Sequence, residues 1–455
     1  MLFTEINYFI FLTVCALAYA FLPKKSRVWL LLAASYCFYA AFDWRFVFLL
    51  LWQTAICFFC AKYRKTTLAV CLSILELAVF KYFNFFNDSF RQLFESLRLP
   101  YLIPHLDILL PVGISFFTFQ SLGYVIDVSR GKIQPENDFP RFALFVAFFP
   151  QLAAGPIGRA DELIPQLKEA KTPSLQHLAD GIQLIIWGLF QKMVVADRLA
   201  SFINRAYTSP KTANGSTLLI ASILFSVQIY ADFSGYSDLA RGSANFFGID
   251  LRNNFNFPYF ATSIPDFWKR WHISLTSWFR DYLYIPLGGN RVTKPKWIRN
   301  QLVVFLLSGL WHGANWTFIF WGAIHGVFNL LHVLLFGKKQ ASASRFVNLF
   351  RCLITFAIVN AAWIFFRAPT FRRAILIITR IVTHPGGRPY FGASQVTFII
   401  NIFMVMILFI VDFTAFRGFT GSRCPDAIRI PGYAVIAALI ALLAVSSNSF
   451  IYLQF

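Results

Sequence analysis

Apolar residues gather in runs near positions 6–22, 28–41, 46–61, 66–86, 109–126, 140–153, 178–196, 216–231, 300–311, 315–336, 346–366, 397–415 and 433–450. A helix that crosses a bilayer needs about 20 mostly apolar residues. Several runs are shorter than that. The pattern predicts an all-α, multi-pass membrane protein with about eleven spans and some re-entrant pieces. Basic clusters punctuate the runs. Lys24-Lys25-Ser26-Arg27 and Lys62-Tyr63-Arg64-Lys65 both mark a cytoplasmic side. Residues 28–61 must then cross twice or turn back, with Asp43 and Arg45 at the turn. The first run has no positive charge ahead of it and a basic cluster behind it. That order is wrong for a cleaved signal, despite Ala18-Tyr19-Ala20. It is predicted as a retained first helix with its N-terminus outside.

Composition sharpens this picture. Of the 455 residues, 57% are hydrophobic, 14% are charged and 55 are Phe. Soluble domains carry roughly 25% charge, so a soluble fold is excluded, as are disorder, collagen and coiled coil. No repeat or appended polar domain interrupts residues 1–455, which read as a single membrane domain. The 41 Lys+Arg outnumber the 21 Asp+Glu. Cytoplasmic loops account for such an excess; the alternative is attraction for a phosphate-bearing cofactor or an acidic carrier protein. Nucleic acid is not expected, because no polar basic domain exists to bind it. The seven Cys form no framework, and Cys57-x-x-Cys60 has no second ligand pair nearby. They read as small buried hydrophobes.

The most informative polar stretch is 250–300. Residues 265–283 place Phe267, Trp268, Trp271, Leu275, Trp278, Phe279 and Tyr282 on one face of a helical wheel. Asp266, Lys269, Arg270, Ser274, Ser277, Arg280 and Asp281 fall on the other. One amphipathic helix lying in the membrane interface is predicted, with His272 at the boundary of its faces. Ser263, three residues before Asp266, starts it, and Pro286 with Gly288-Gly289 ends it. The basic run Arg291, Lys294, Lys296 and Arg299 follows. Residues 301–337 carry no Lys, Arg, Asp or Glu, and Lys338-Lys339 closes them. Basic ends on both sides predict a hairpin or re-entrant unit. Its first arm, 300–311, would be about 18 Å long against a hydrocarbon core of about 30 Å. The turn Trp311-His312-Gly313-Ala314-Asn315 is therefore expected part-way through the membrane, where polar residues mark substrate or ion paths. Residues 263–337 form the expected core of the molecule.

The remaining histidines are less telling. His325 and His332 share a helix face and read as packing residues; His105, His177 and His384 lie in loops. No compact zinc spacing, nucleotide loop or serine elbow occurs, so no metal is expected, although bis-His haem ligation across helices stays open. Asp232, in Tyr230–Asp238, could orient a histidine, pair with Arg241 or simply end a helix. A lone imidazole suits acyl transfer, because it can take a proton from a hydroxyl at neutral pH. The same placement would also serve a transporter or flippase.

Several segments resemble the membrane-bound O-acyltransferase family. They are Phe267–Leu275, Trp278–Gly289, Leu310–Trp316, Phe320–Gly326, Pro111–Gln120 and Tyr230–Asp238. The resemblance runs from about Ala33 to Phe366. It is strongest to the bacterial alginate O-acetyltransferase branch, with teichoic-acid D-alanylation proteins as cousins. It implies a ring of helices around a thin centre with a tunnel. His312 matches the family's principal catalytic histidine and His272 its second. Trp311, Gly313, Asn315, Trp268 and Trp271 are expected along the tunnel, and Asn315 is a candidate oxyanion donor. The resemblance further implies a thioester donor, acetyl-CoA or an acyl carrier protein, drawn to the basic run Arg291–Arg299, with no permanently bound cofactor. It implies an extracytoplasmic partner related to SGNH hydrolases, a polysaccharide as final acceptor, and residence in a bacterial cytoplasmic (inner) membrane.

Overall fold

The computed structural model describes residues 1–153, 155–337, 344–390, 394–419 and 424–445. Among these every regular element is helical. Lys338 and Lys339, and the end of the last apolar run, lie outside the described residues.

Eight helices are long and apolar enough to cross a membrane: Arg45–Lys62, Thr66–Ser96, Leu175–Thr208, Gly215–Asn245, Trp316–Phe336, Arg345–Arg367, Gln395–Phe416 and Asp426–Leu443. The rest of the expected spans are shorter or more charged. Ile6–Phe21, Lys24–Ala40 and Ile114–Ser129 have 16, 17 and 16 residues. Run 140–153 divides at Phe148 into Phe139–Ala147 and Phe149–Leu152. The chain does turn between Lys24–Ala40 and Arg45–Lys62, where Arg45 pairs with Asp43 at 2.6 Å. The Arg45 guanidinium holds the Asp43 carboxyl below the ordinary carboxylate range by hydrogen bonding.

Two runs extend well beyond their apolar stretch. Thr66–Ser96 and Leu175–Thr208 are continuous through π-helical segments at Ala78–Tyr82 and Phe190–Ala196. Such one-turn widenings recur at functional sites. The central element is Gly215–Asn245, buried along most of its length. It packs against Leu175–Leu189 through reciprocal glycines. A Cβ on Gly188 would come within 2.7 Å of the Gly235 carbonyl oxygen, and one on Gly242 within 2.7 Å of the Gly181 oxygen. Close backbone approach on small residues is how helices associate where lipid removes the hydrophobic drive.

Candidate active site

The segment predicted as one interfacial helix is not continuous. It forms Ile264–Arg270 and Ile273–Phe279, then a π-helical turn Arg280–Tyr284. Ser263 caps the first piece, accepting from the Asp266 N–H at 3.2 Å. The break lies at Trp271–His272, where His272 takes a left-handed backbone with φ +44°. Neighbouring chain causes it. The Ile273 N–H donates to the Asn254 carbonyl at 2.9 Å, and the Asn256 N–H donates to the Arg270 carbonyl at 2.9 Å. The Ser274 hydroxyl donates to Asn254 Oδ1 at 2.6 Å. These bonds replace the helix's own ladder. The apolar face is buried at Trp268, Trp271 and Trp278, and so are Ser274 and Ser277 of the polar face, while Lys269 and Arg280 stay exposed. No Gly or Pro signals this break, so the wheel misread it.

The hairpin is present, but its first arm is longer than expected. Lys294–His312 has 19 residues, about 28 Å, because the helix begins within the basic run. Arm length therefore no longer argues for a turn part-way through the membrane. Protein packing is what keeps His312, 3% exposed, away from solvent. The return helix, Trp316–Phe336, starts at Asn315, whose Oδ1 accepts from the Thr317 N–H at 3.0 Å. The Asn315 amide donates to the Pro369 carbonyl at 3.1 Å. Its oxygen thus caps the helix, and one of its two amide N–H groups ties the turn to residue 369. The two arms meet at Gly309 and Gly322, where added Cβ atoms would lie 2.3 Å from the Phe318 and 2.2 Å from the Phe305 carbonyl oxygens.

These two pieces of chain bring His272 and His312 together, with ring centroids 6.4 Å apart. Trp311 contacts both rings, at 5.8 Å from His272 and 5.1 Å from His312. Phe233 stands edge-on to His272 at 4.6 Å, and Trp321 edge-on to His312 at 5.0 Å. His325, expected as a packing residue, joins this centre. It is fully buried, 4.9 Å from Trp321 and 5.0 Å from Trp268. Neither of its ring nitrogens has a hydrogen-bond partner among the described residues. The buried indole N–H groups of Trp268, Trp271, Trp311 and Trp321 have none either. Buried polar groups without partners are uncommon and call for an explanation such as an unseen ligand or water.

A cavity of about 40 Å³ lies against His312, lined also by Lys81, Ser115, Phe116 and Trp311. A larger one, about 410 Å³, adjoins the turn and is lined by Lys81, Asn84, Gly313, Asn315, Arg367 and Pro369. Lys81, which lines both, was missed in the sequence. A single cation inside the apolar run 66–86 was the available signal.

The other expected site residues lie elsewhere. Asp232 accepts from Lys192 Nζ at 2.7 Å. Arg241 goes to Asp238 at 3.0 Å, not to Asp232. What motif Tyr230–Asp238 brings to the imidazoles is Phe233. Arg291, Lys294, Lys296 and Arg299 are exposed, and none makes an ion pair among the described residues. A stretch of helix about 20 Å long separates Arg299 from His312, so the basic run is not part of the pocket.

Chemically, this is a buried pair of imidazoles at a helix break, walled by aromatics and opening to a cavity. Proton transfer from a hydroxyl to an imidazole suits such a centre. Residues 17–369 match MBOAT, the membrane-bound O-acyltransferase family. The chain belongs to that family and is a multi-pass membrane acyltransferase. It is 39% identical over 375 residues to the probable alginate O-acetylase AlgI of Azotobacter vinelandii, covering 79% of this chain and 73% of that one. It is 36% identical over 402 residues to the peptidoglycan O-acetyltransferase of Helicobacter pylori, covering 80% and 75%. It is 28% identical over 319 residues to the teichoic acid D-alanyltransferase of Bacillus subtilis, covering 67% and 78%.

Proposed function

We propose that this protein takes an acetyl group from acetyl-CoA on the cytoplasmic side and passes it to a hydroxyl acceptor reached from the opposite face. The product is O-acetylation of an exported or cell-surface polysaccharide, with alginate the first polymer to test because of the 39% relative. An extracytoplasmic partner of the SGNH-hydrolase kind completes delivery, and the cytoplasmic membrane of a bacterium is the setting. The observation that carries this reading is the buried His312 at the junction of two helices, beside His272 and a cavity. Chain direction supports the sidedness. Basic residues start Lys294–His312 and precede Thr66–Ser96, so the Gly313–Asn315 turn and the loop 97–113 fall at the non-cytoplasmic ends. The larger cavity lies among them.

In this mechanism the His312 imidazole takes the acceptor hydroxyl's proton as its oxygen attacks the thioester carbonyl carbon. The C–O bond forms and the carbonyl oxygen becomes an oxyanion. Collapse breaks the C–S bond, and the thiolate leaves with the proton returned by His312. His272 positions the donor or assists that proton. The unpartnered indole N–H groups supply donors along the buried route of the thioester arm. The exposed basic run attracts the donor's phosphates. It would suit an acidic carrier protein equally well, so D-alanyl transfer to teichoic acid is the second reading.

Sealed inverted vesicles test this directly. Acetyl-labelled acetyl-CoA is added to the outer, formerly cytoplasmic, face, and label transfer is compared for the native chain and His312→Ala. Transfer that requires His312 supports the reading. Transfer only from a charged carrier protein moves it to the second reading, and none from either donor, with or without the extracytoplasmic partner, overturns both proposed donors.

A further inference from the structure

We propose that Lys81 is a further catalytic residue, whose ammonium stabilises the oxyanion formed when the acceptor attacks the thioester. This assignment rests on the reading of His312 as the base. Four observations converge on it. Lys81 lies mid-way along Thr66–Ser96, a helix of membrane-spanning length, where a charge is costly and is kept for function. It sits in the π-helical turn Ala78–Tyr82, which breaks the regular ladder at that point. Its Nζ donates to the Trp311 carbonyl at 2.6 Å and to the Ser115 hydroxyl at 3.1 Å, which holds it one residue from His312. It lines both cavities at the turn, including the one that His312 lines.

The bonding arithmetic leaves capacity for a ligand. An ammonium has three N–H donors, and two are engaged. Among the described residues no carboxylate pairs with Lys81, so its charge is not neutralised by the fold. Negative charge does develop on the carbonyl oxygen during transfer, and a fixed donor aimed at that position lowers the barrier. Asn315, the donor expected from the sequence, is held by its own bonds, with one of its two amide N–H groups on the Pro369 carbonyl and its oxygen capping the return helix.

The experiment compares native protein, His312→Ala, Lys81→Met and Lys81→Arg in vesicles, with kcat and KM for acetyl-CoA measured separately. Lys81→Met is expected to lose about 100- to 1,000-fold in kcat, with KM and thermal stability little changed. Lys81→Arg is expected to recover part of the loss. A merely structural lysine would lower stability and activity together. As a second arm, Lys81→Cys is alkylated with 2-bromoethylamine, rebuilding an ammonium, or with iodoacetamide, leaving a neutral amide; treated native protein is the control. Restoration by the ammonium alone supports the proposal. Equal restoration by both, or by neither, overturns it. Native kcat in Lys81→Met while His312→Ala is inactive also overturns it, leaving the base reading intact. Full activity in His312→Ala removes the base reading and this proposal with it.

Discussion

Residues 232 and 233 are chain neighbours that face two different interiors. Asp232 points into an ion cluster, where Lys192 Nζ lies 2.7 Å from both Asp197 and Asp232. Close by, Asp238 is held by Arg241 and Gln191, each at 3.0 Å. Phe233, about 100° further round the helix, abuts His272 and the aromatic centre. Both interiors are buried and polar, but they differ in how their polar groups are satisfied. In the ion cluster each charge meets an opposite one, and the atoms left over are Gln191 Oε1 and Arg241 Nε, on groups that are bonded through their other atoms. In the aromatic centre, His325 and four indole N–H groups meet no protein partner among the described residues. An unmet buried donor costs roughly 1–3 kcal/mol, so a fold keeps several together only where a ligand or water meets them. The first interior therefore reads as scaffold and the second as site.

The strongest way to break that contrast is at His312. His312→Ala is expected to slow transfer by about 100- to 10,000-fold while the protein accumulates normally in membranes. Labelled transfer and immunoblotting of the same vesicles check both halves. Equal loss of protein and activity would make His312 scaffold after all.

Lys192→Met is the converse test. Removing one partner of a buried ion cluster costs about 3–5 kcal/mol, because the remaining carboxylates stay buried without their cation. The expected result is a fall in folded protein, with transfer per folded molecule retained. Adding Asp197→Asn and Asp232→Asn to the same chain should recover part of the yield. A chain that folds normally and loses only turnover would move the cluster into the catalytic machinery.

A smaller effect is expected at His325. His325→Phe keeps a ring among Trp268, Trp321 and Phe267 but removes two unmet nitrogens. Thermal stability should hold, while KM for acetyl-CoA rises about 2- to 10-fold if each nitrogen serves as an ordinary hydrogen-bond partner of the donor. Unchanged KM would return His325 to packing.

The contrast was partly legible in the sequence. The helical class, the turn at Asp43, the hairpin around His312 and the weight placed on His272 all follow from local pattern and motif. Three features did not. The break at His272 depends on Asn254 and Asn256, which lie outside the segment whose periodicity was read. The fate of Asp232 depends on Lys192, forty residues earlier, and a carboxylate's partner leaves no local trace. Lys81 was readable as a lone cation in an apolar run, but its bond to the Trp311 carbonyl joins positions 230 residues apart. Periodicity reports which face is apolar; it does not report which distant chain completes a hydrogen bond.

Asn315 gives the smallest expected effect and the finest test of where the boundary between the two interiors runs. It lies within three residues of His312, yet its hydrogen bonds place it with the satisfied groups: Oδ1 caps the return helix and the amide holds Pro369. Removing a helix N-cap costs about 0.5–2 kcal/mol, so Asn315→Ala should lower thermal stability measurably. Transfer per folded molecule should change by only about 2- to 5-fold, through a looser turn rather than a lost donor to the reacting atoms. An oxyanion donor at this position would instead lose about 100- to 1,000-fold in kcat. Asn315→Asp separates the two further. It keeps a capping oxygen but cannot donate to Pro369 or to an oxyanion when ionised. If Asn315→Asp holds near-native turnover, the amide is not part of the chemistry. If it falls as far as Lys81→Met, the boundary must be redrawn to put Asn315 inside the site.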